Sequence, residues 1–186
     1  VYPSIQISAK PTQNMNCADG VCTSTAGNAR LNATDLANML ATSDIKVVTG
    51  NGTDTIGIVS PFAWASTHRL TLDAALNVDI KAPMTVQGTA GLTIVTSNGE
   101  TGGDLMFYRG GKIDFWDTGS SLIINRASYT LISTVPELGH AIKRATRHNR
   151  FALSQDYDAT HDKFRRSPVG EKFLGIFEGL GHSISN

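Results

Sequence analysis

From about Ile45 to Ile124 the chain alternates strictly between apolar and polar positions in short bursts. Leu70 and Leu72 flank Thr71; Val78, Ile80 and Ala82 alternate with Asp79 and Lys81; Leu92 and Ile94 flank Thr93; Ile113 and Phe115 flank Asp114; Leu122 and Ile124 follow a Gly119-Ser120 turn. A period of two puts each apolar set on one face of a strand. The bursts are separated by turn formers such as Gly50-Asn51-Gly52, Gly88-Thr89-Ala90-Gly91, Asn98-Gly99 and Gly110-Gly111, residues suited to left-handed backbone or tight turns. Leu70 and Leu92 lie twenty-two residues apart, as do Ile56 and Val78. Strands this short cannot bury a face alone, so the pattern predicts copies stacked on one another. Four turns of chain are expected. Ile45–Trp64 forms the first, Leu70–Val86 the second, Leu92–Phe107 the third, and Ile113–Ile124 the fourth.

The flanks read differently. Leu36, Met39 and Leu40 fall on one helical face, with Asn32 or Thr34 available as N-cap, so a short helix is expected as a lid on the first coil. Further on, Thr134-Val135-Pro136-Glu137 has the spacing of a capping box, and Leu138, Ile142 and Ala145 share a face, predicting a helix over 135–147. Phe151-Ala152-Leu153 reads as a strand, 154–168 as a polar loop, 173–177 as a strand and Ser183-Ile184 as the start of another. The expected fold is all-β: a right-handed parallel β-helix with a short N-terminal capping helix and one helix inserted before the C-terminal coils. It divides into an extended segment over 1–30, β-helix coils over 31–132, and a helix with further coils over 133–186. The competing architecture, an antiparallel sandwich, fits less well, because similar residues recur at matching places.

Composition narrows the function classes. The 16 basic and 16 acidic residues cancel, and charged residues make up 17% of the chain, which argues against whole-chain attraction to nucleic acid or anionic lipid. No apolar run approaches the ~18 residues of a membrane helix. The opening residues lack the charged start and apolar stretch of a signal peptide, so the chain reads as a mature or excised piece of a longer protein. Cys17 and Cys22 bracket an Asp19-Gly20 turn pair. That pair predicts a hairpin disulfide and hence an oxidising compartment; further Cys or His would be needed nearby for a metal or redox pair.

Two stretches carry a family resemblance. Leu36-Ala37-Asn38-Met39-Leu40, Trp64 with Leu70-Thr71-Leu72-Asp73-Ala74, and Val78-Asp79-Ile80-Lys81-Ala82-Pro83 resemble large bacterial exoproteins of the filamentous-haemagglutinin kind. The run from Ser167-Pro168-Val169-Gly170 through Phe173, Gly175 and Phe177-Glu178-Gly179-Leu180-Gly181 to Ile184-Ser185-Asn186 resembles the GLUG motif of bacterial surface and secreted proteins, with Gly179, Leu180 and Gly181 at its centre. The resemblance implies a secreted or surface-displayed adhesin, exported by two-partner secretion through an outer-membrane partner. It carries over no catalytic residue. The secretion domain that opens such exoproteins is not found here. Some IgA-cleaving peptidases with GLUG repeats keep their zinc chemistry in a His-Glu-x-x-His helix, which this chain lacks.

Other candidate chemistry stands beside the resemblance. His68, His140, His148, His161 and His182 show no metalloprotease spacing. Asp156-Tyr157-Asp158-Ala159-Thr160-His161-Asp162 looks superficially like a calcium loop but lacks the central Gly and closing Glu; Asx turns are the simpler role for its carboxylates. Asp114 and Asp117 around Trp116, with Lys81 or Arg109 as cationic partners, are the acids a polysaccharide lyase would use; the simpler placement leaves both acids in solvent and packs Trp116 at a corner. Lys143, Arg144, Arg147 and Arg150 lie on and just after the second predicted helix. They form a candidate polyanion site and complement that helix's C-terminal dipole.

The expectation is a non-enzymatic, rod-like scaffold or adhesin needing no metal or cofactor. Its partners would be a host or neighbouring-cell surface glycan or protein and the outer-membrane secretion partner, with no nucleic acid. End-to-end self-association is also expected. The alternatives are a lyase-like β-helix enzyme acting on carbohydrate and a calcium-dependent glycan-binding module.

Overall fold

The computed structural model describes residues 3–99, 101–144, 149–167, 169 and 173–186. Along the chain lie β1 (Ser4–Ser8), β2 (Met15–Ala18), β3 (Val21–Ser24), β4 (Ala29–Asn32), α1 (Ala33–Leu40), β5 (Ile45–Val48), β6 (Thr55–Ile58) and β7 (Phe62–Trp64). Then come β8 (Arg69–Asp73), β9 (Val78–Ile80), β10 (Met84–Val86), β11 (Gly91–Val95), β12 (Leu105–Phe107), β13 (Ile113–Phe115) and β14 (Ser121–Ile124). The C-terminal part holds β15 (Ala127–Ile132), α2 (Val135–Arg144), β16 (Arg150–Leu153), β17 (Tyr157–Asp158), β18 (Ile176–Glu178) and β19 (Ile184–Ser185). The chain is mostly β, and its strands pair predominantly in parallel.

Three sheets share the middle of the chain. Sheet A has the order β12-β9-β6-β1-β4, sheet C the order β13-β10-β7, and sheet B the nine-stranded order β18-β16-β15-β14-β11-β8-β5-β3-β2. From β5 to β14, consecutive strands visit B, A and C in turn. Leu92 of β11 therefore lies beside Leu70 of β8, Val78 of β9 beside Ile56 of β6, and Met84 of β10 beside Phe62 of β7. The apolar member of each alternation points into one shared core: Ile56, Ile58, Leu70, Leu72, Val78, Ile80, Met84, Val86, Leu92 and Ile94 are fully buried. Their polar neighbours Lys46, Thr71 and Thr93 stay half-exposed on the outer face of sheet B.

Several expectations are corrected. Within the segment over 1–30, the described residues are not an extended lead-in. β1 lies between β4 and β6 and buries Ile5 and Ile7 in the main core. Ile113–Phe115 belongs with the third turn of chain rather than the fourth, because β13 completes sheet C beside β10. The parallel stacking in sheet B stops at β14. There the chain reverses through Asn125 (φ +46) and Arg126 (φ +67), and β15 returns antiparallel. Two consecutive residues with positive φ are the signature of the turn that joins two-residue hairpins. The same device at Asp19 (φ +50) and Gly20 (φ +78) joins β2 to β3, and the Cys17–Cys22 disulfide crosslinks that hairpin.

Both helices are capped by side chains. The Asn32 carboxamide oxygen accepts from the backbone N–H groups of Thr34 (2.9 Å) and Asp35 (3.0 Å), two of the donors a helix start leaves unpaired. α1 buries Ala33, Leu36 and Leu40 and lies against β4, β5 and β7. At α2 the Thr134 hydroxyl accepts from the Glu137 N–H (3.1 Å). Glu137 reaches back to the N–H of Ser133 (2.8 Å), one residue further than a standard capping box. α2 runs to Arg144; the expected extension to Arg147, and Ala145 on its face, lie outside the described residues. Leu138 packs with Ile132, Phe151 and Leu153 in a second, smaller core. The expected strand over 173–177 is displaced to β18, and the loop after Ser154 contains the short strand β17, which pairs with β19.

The inward row makes a direct prediction. Leu72→Ala should cost about 2–5 kcal/mol in a urea unfolding series, whereas Thr71→Ala, one residue away on the outer row, should stay within about 0.5 kcal/mol. Equal costs would mean that the two faces of β8 are misassigned.

Candidate functional site

A cluster of linked charges forms where the C-terminal segment meets β13. In sheet C, β13 is the edge strand beside β10 among the described residues. Its other edge is capped by loop carbonyls: the Ile113 N–H donates to the Leu180 carbonyl (3.0 Å) and the Phe115 N–H to that of Ser154 (2.8 Å). Strand edges left open invite unwanted pairing, and here two loops occupy one.

Gly179, Leu180 and Gly181 bring this about. Leu180 (φ +52) and Gly181 (φ +81) are the central residues of a turn closed by the His182 N–H on the Gly179 carbonyl (2.9 Å). Leu180 enters the main core and is fully buried. Gly181 has no room for a side chain, since a Cβ there would lie 2.3 Å from the Gly111 carbonyl oxygen. The motif thus works as an anchor that seats the C-terminal segment against β13.

The next residue completes a charged cluster. The His182 ring is wholly enclosed. Its Nε2 lies 2.8 Å from the Ile113 carbonyl oxygen, which can only accept, so Nε2 carries the proton. Nδ1 has no hydrogen-bond partner among the described residues and faces Asp156 (3.4 Å) and Asp114 (3.9 Å). Lys112 sits between the same two carboxylates, 2.8 Å from Asp156 and 3.3 Å from Asp114. Beside them opens a cavity of about 530 Å³ lined in part by Tyr108, Arg109, Lys112 and His182. The Lys112 ammonium, and after it the Ser183 N–H (2.9 Å), hold the Asp156 carboxyl well below the usual carboxylate range. Lys112 is pushed up, chiefly by Asp156. Among the described residues no group of three or more His, Cys, Asp or Glu has the geometry to hold a metal ion. The arrangement acts as an electrostatic clasp between β13 and the C-terminal segment.

The remaining candidates fall in separate places. Asp158 accepts from the Thr160 N–H (2.9 Å) and hydroxyl. Asp162 accepts from the Tyr157 hydroxyl and pushes that phenol up to about 12. With Asp156 paired to Lys112, all three carboxylates of the calcium-like stretch have partners within the chain. Asp117 closes a turn, accepting from the Gly119 N–H (2.7 Å) and the Thr89 hydroxyl (2.7 Å). Asp114 turns into the clasp instead, so the two acids do not share a site. Trp116 is not packed at a corner; it is 67% exposed. Lys143 and Arg144 are exposed on the last turn of α2, and Arg147 lies outside the described residues. Arg150 is half-buried in β16, where it bonds Tyr129 and partly offsets the upward push of burial on that phenol.

A second polar feature lies on the outer face of sheet A, where Asp79 sits almost buried at the floor of a groove beside Lys81 and Tyr108. Neither this groove nor the clasp stands out as a motif. Lys112, Asp114, Asp156 and His182 are spread over seventy residues, and only the topology gathers them.

The clasp gives a pH prediction. A carboxyl whose native value is depressed contributes stability that is complete above its unfolded value near ~3.9 and drains away as pH falls toward the native value. The raised Lys112 contributes below its unfolded value near ~10.4 and loses its share only at higher pH. Between about pH 5 and about pH 3 the urea midpoint of the native chain should therefore fall further than that of Asp156→Asn. Parallel curves would show that the clasp contributes nothing. No family model matches this chain, and neither does any curated protein or solved structure.

Proposed function

We propose that sheets A, B and C wind into a right-handed parallel β-helix, and that the chain is a non-enzymatic scaffold or adhesive segment of a bacterial exoprotein. The observation that carries this reading is the fixed order in which successive strands enter sheets B, A and C, each beside its counterpart from the preceding turn. Parallel strands joined through a crossover are overwhelmingly right-handed, which supports the hand. The Cys17–Cys22 disulfide supports an oxidising compartment. The segments that resemble filamentous-haemagglutinin exoproteins fall on α1, β7, β8 and β9, within the stack and its lid. That supports secretion or surface display through an outer-membrane partner, with a surface glycan or protein as ligand. The separation of Asp114 from Asp117 favours this reading over a lyase.

Two measurements test it. An experimental density map should trace one right-handed turn from β8 through β9 and β10 to β11; a left-handed turn would overturn the fold. Microspheres coated with the chain should be retained on epithelial or bacterial cells well above albumin-coated ones, with no unsaturated product released from polygalacturonate. Retention no better than albumin, or release of that product, would overturn the functional reading.

A further inference from the structure

We propose that the groove on the outer face of sheet A binds a neutral saccharide, centred on Asp79. The inference goes beyond the scaffold reading and does not depend on it, since the groove is built from sheet A alone whatever the chain is part of.

The sheet register makes the groove. Gln6 of β1, Gly57 of β6 and Asp79 of β9 stand in one outward row, because Gln6 pairs with Gly57 and Gly57 with Asp79. Neighbouring strands lie ~4.8 Å apart, so the missing side chain at Gly57 leaves a gap one strand wide between Gln6 and Asp79. Ser4 and Thr55 border one side of the gap, and Lys81 and Tyr108 the other. The resulting space is about 270 Å³, close to the lower limit of ~300 Å³ for small-molecule pockets and suited to one or two sugar rings.

The chemistry of the floor selects the ligand. Asp79 is 7% exposed. Its Oδ2 lies 2.9 Å from the Lys81 ammonium, while its Oδ1 is buried with no hydrogen-bond partner among the described residues. A buried carboxylate oxygen without a donor is costly, so the groove calls for a donor from outside. Lys81 already balances the charge of Asp79, and a second cation would leave the site positive. The donor that fits is a neutral hydroxyl. Lys81 keeps N–H donors beyond the one facing Asp79, so acceptor and donor stand side by side, as adjacent ring hydroxyls require. The Lys81 ammonium lies 4.8 Å from the Tyr108 ring centroid, and Tyr108 is 44% exposed. Its ring offers a platform at the groove wall for the apolar C–H face of a sugar, as aromatic side chains do when one face is packed and one end is wet.

The test titrates the whole chain with maltotriose, cellotriose and N-acetylchitotriose by calorimetry, with a heparin tetrasaccharide as the anionic counter-probe. At least one neutral trisaccharide should bind more tightly than about 10 mM, and more tightly than the heparin fragment. Asp79→Asn should weaken it about tenfold or more, as loss of a charged hydrogen-bond acceptor does. Gly57→Val should abolish binding by filling the gap. The nearest atoms to a Cβ at Gly57 are Val59 Cγ1 at 3.6 Å and the Ile5 carbonyl oxygen at 4.0 Å, so the strand tolerates it and the melting temperature should hold. Thr71→Ala, on sheet B, should change nothing. The proposal is overturned if no neutral trisaccharide binds, if the heparin fragment binds best, or if Asp79→Asn and Gly57→Val both leave the affinity unaltered.

Discussion

Parallel pairing between strands more than twenty residues apart is the constraint from which the other features follow. A β3-to-β5 or β8-to-β11 ladder brings together residues that no local turn can join, so every ladder depends on the core side chains that hold successive passes of the chain at one level. Those side chains are almost wholly aliphatic. Leu70, Leu72, Leu92 and Ile94 sit in register with Leu122 and Ile124, and a slip of one residue in any strand would turn its apolar row to water. The register is therefore enforced by burial of the inward row, on the order of 1.5–3 kcal/mol for each large aliphatic side chain enclosed. Parallel stacking also leaves strand edges open at its ends. The chain deals with them by different local means: the disulfide-pinned β2–β3 hairpin, α1 with its Asn32 cap, and the loop carbonyls of Ser154 and Leu180 along β13.

The legible part of this architecture was the part governed by period. The alternations at Leu70–Leu72, Val78–Ile80 and Leu92–Ile94 locate strands β8, β9 and β11, and their spacing foretells which strand lies beside which. The two hairpins show where such reasoning stops. Asp19-Gly20 is a turn pair readable at sight, because Gly takes positive φ without steric cost. Asn125-Arg126 makes the same kind of reversal with an arginine at φ +67, a conformation that its Cβ disfavours. Asn125 is an ordinary residue for such a turn, but the arginine after it is not, and this keeps the antiparallel return of β15 from being read at sight. β1 is hidden for another reason. Ile5-Gln6-Ile7 alternates as fully as Leu70-Thr71-Leu72, but its partners lie off the twenty-two-residue spacing, Ile56 of β6 being fifty-one residues on, and it becomes a central strand only because β4 and β6 arrive on either side.

Charged and polar chemistry was the least legible. In the sequence Asp114 stands near Asp117 and Asp156 ahead of two further carboxylates, yet each has its partner elsewhere. Asp114 and Asp156 meet through Lys112 and His182 because the turn at Leu180 and Gly181 drops Leu180 into the core and brings His182 against the Ile113 carbonyl. The part these residues play follows from positive φ and exclusion of a Cβ. The clasp beside them depends on contacts between residues 112 and 182, which no one-dimensional pattern encodes.

A stacked sheet also constrains what its surface can recognise. The inward row is fixed by packing, so variety is confined to the outward rows, where successive strands present side chains at ~4.8 Å intervals. On sheet B those rows are filled and lie level: Lys46 pairs with Asp73 at 2.6 Å, and Arg69 spans to Thr93 and Ser121. A filled row whose polar groups satisfy one another makes few demands on a ligand. Sheet A departs from this at one position. The absent side chain at Gly57 sinks the row, and the neighbouring Asp79 lies almost buried beside the gap with one oxygen unpartnered among the described residues. A single glycine in a strand otherwise suited to β-branched residues weakens that strand, and the buried carboxylate adds a further cost. Both costs fall at the same place on the same face, where a hydroxyl-bearing ligand would relieve the second of them.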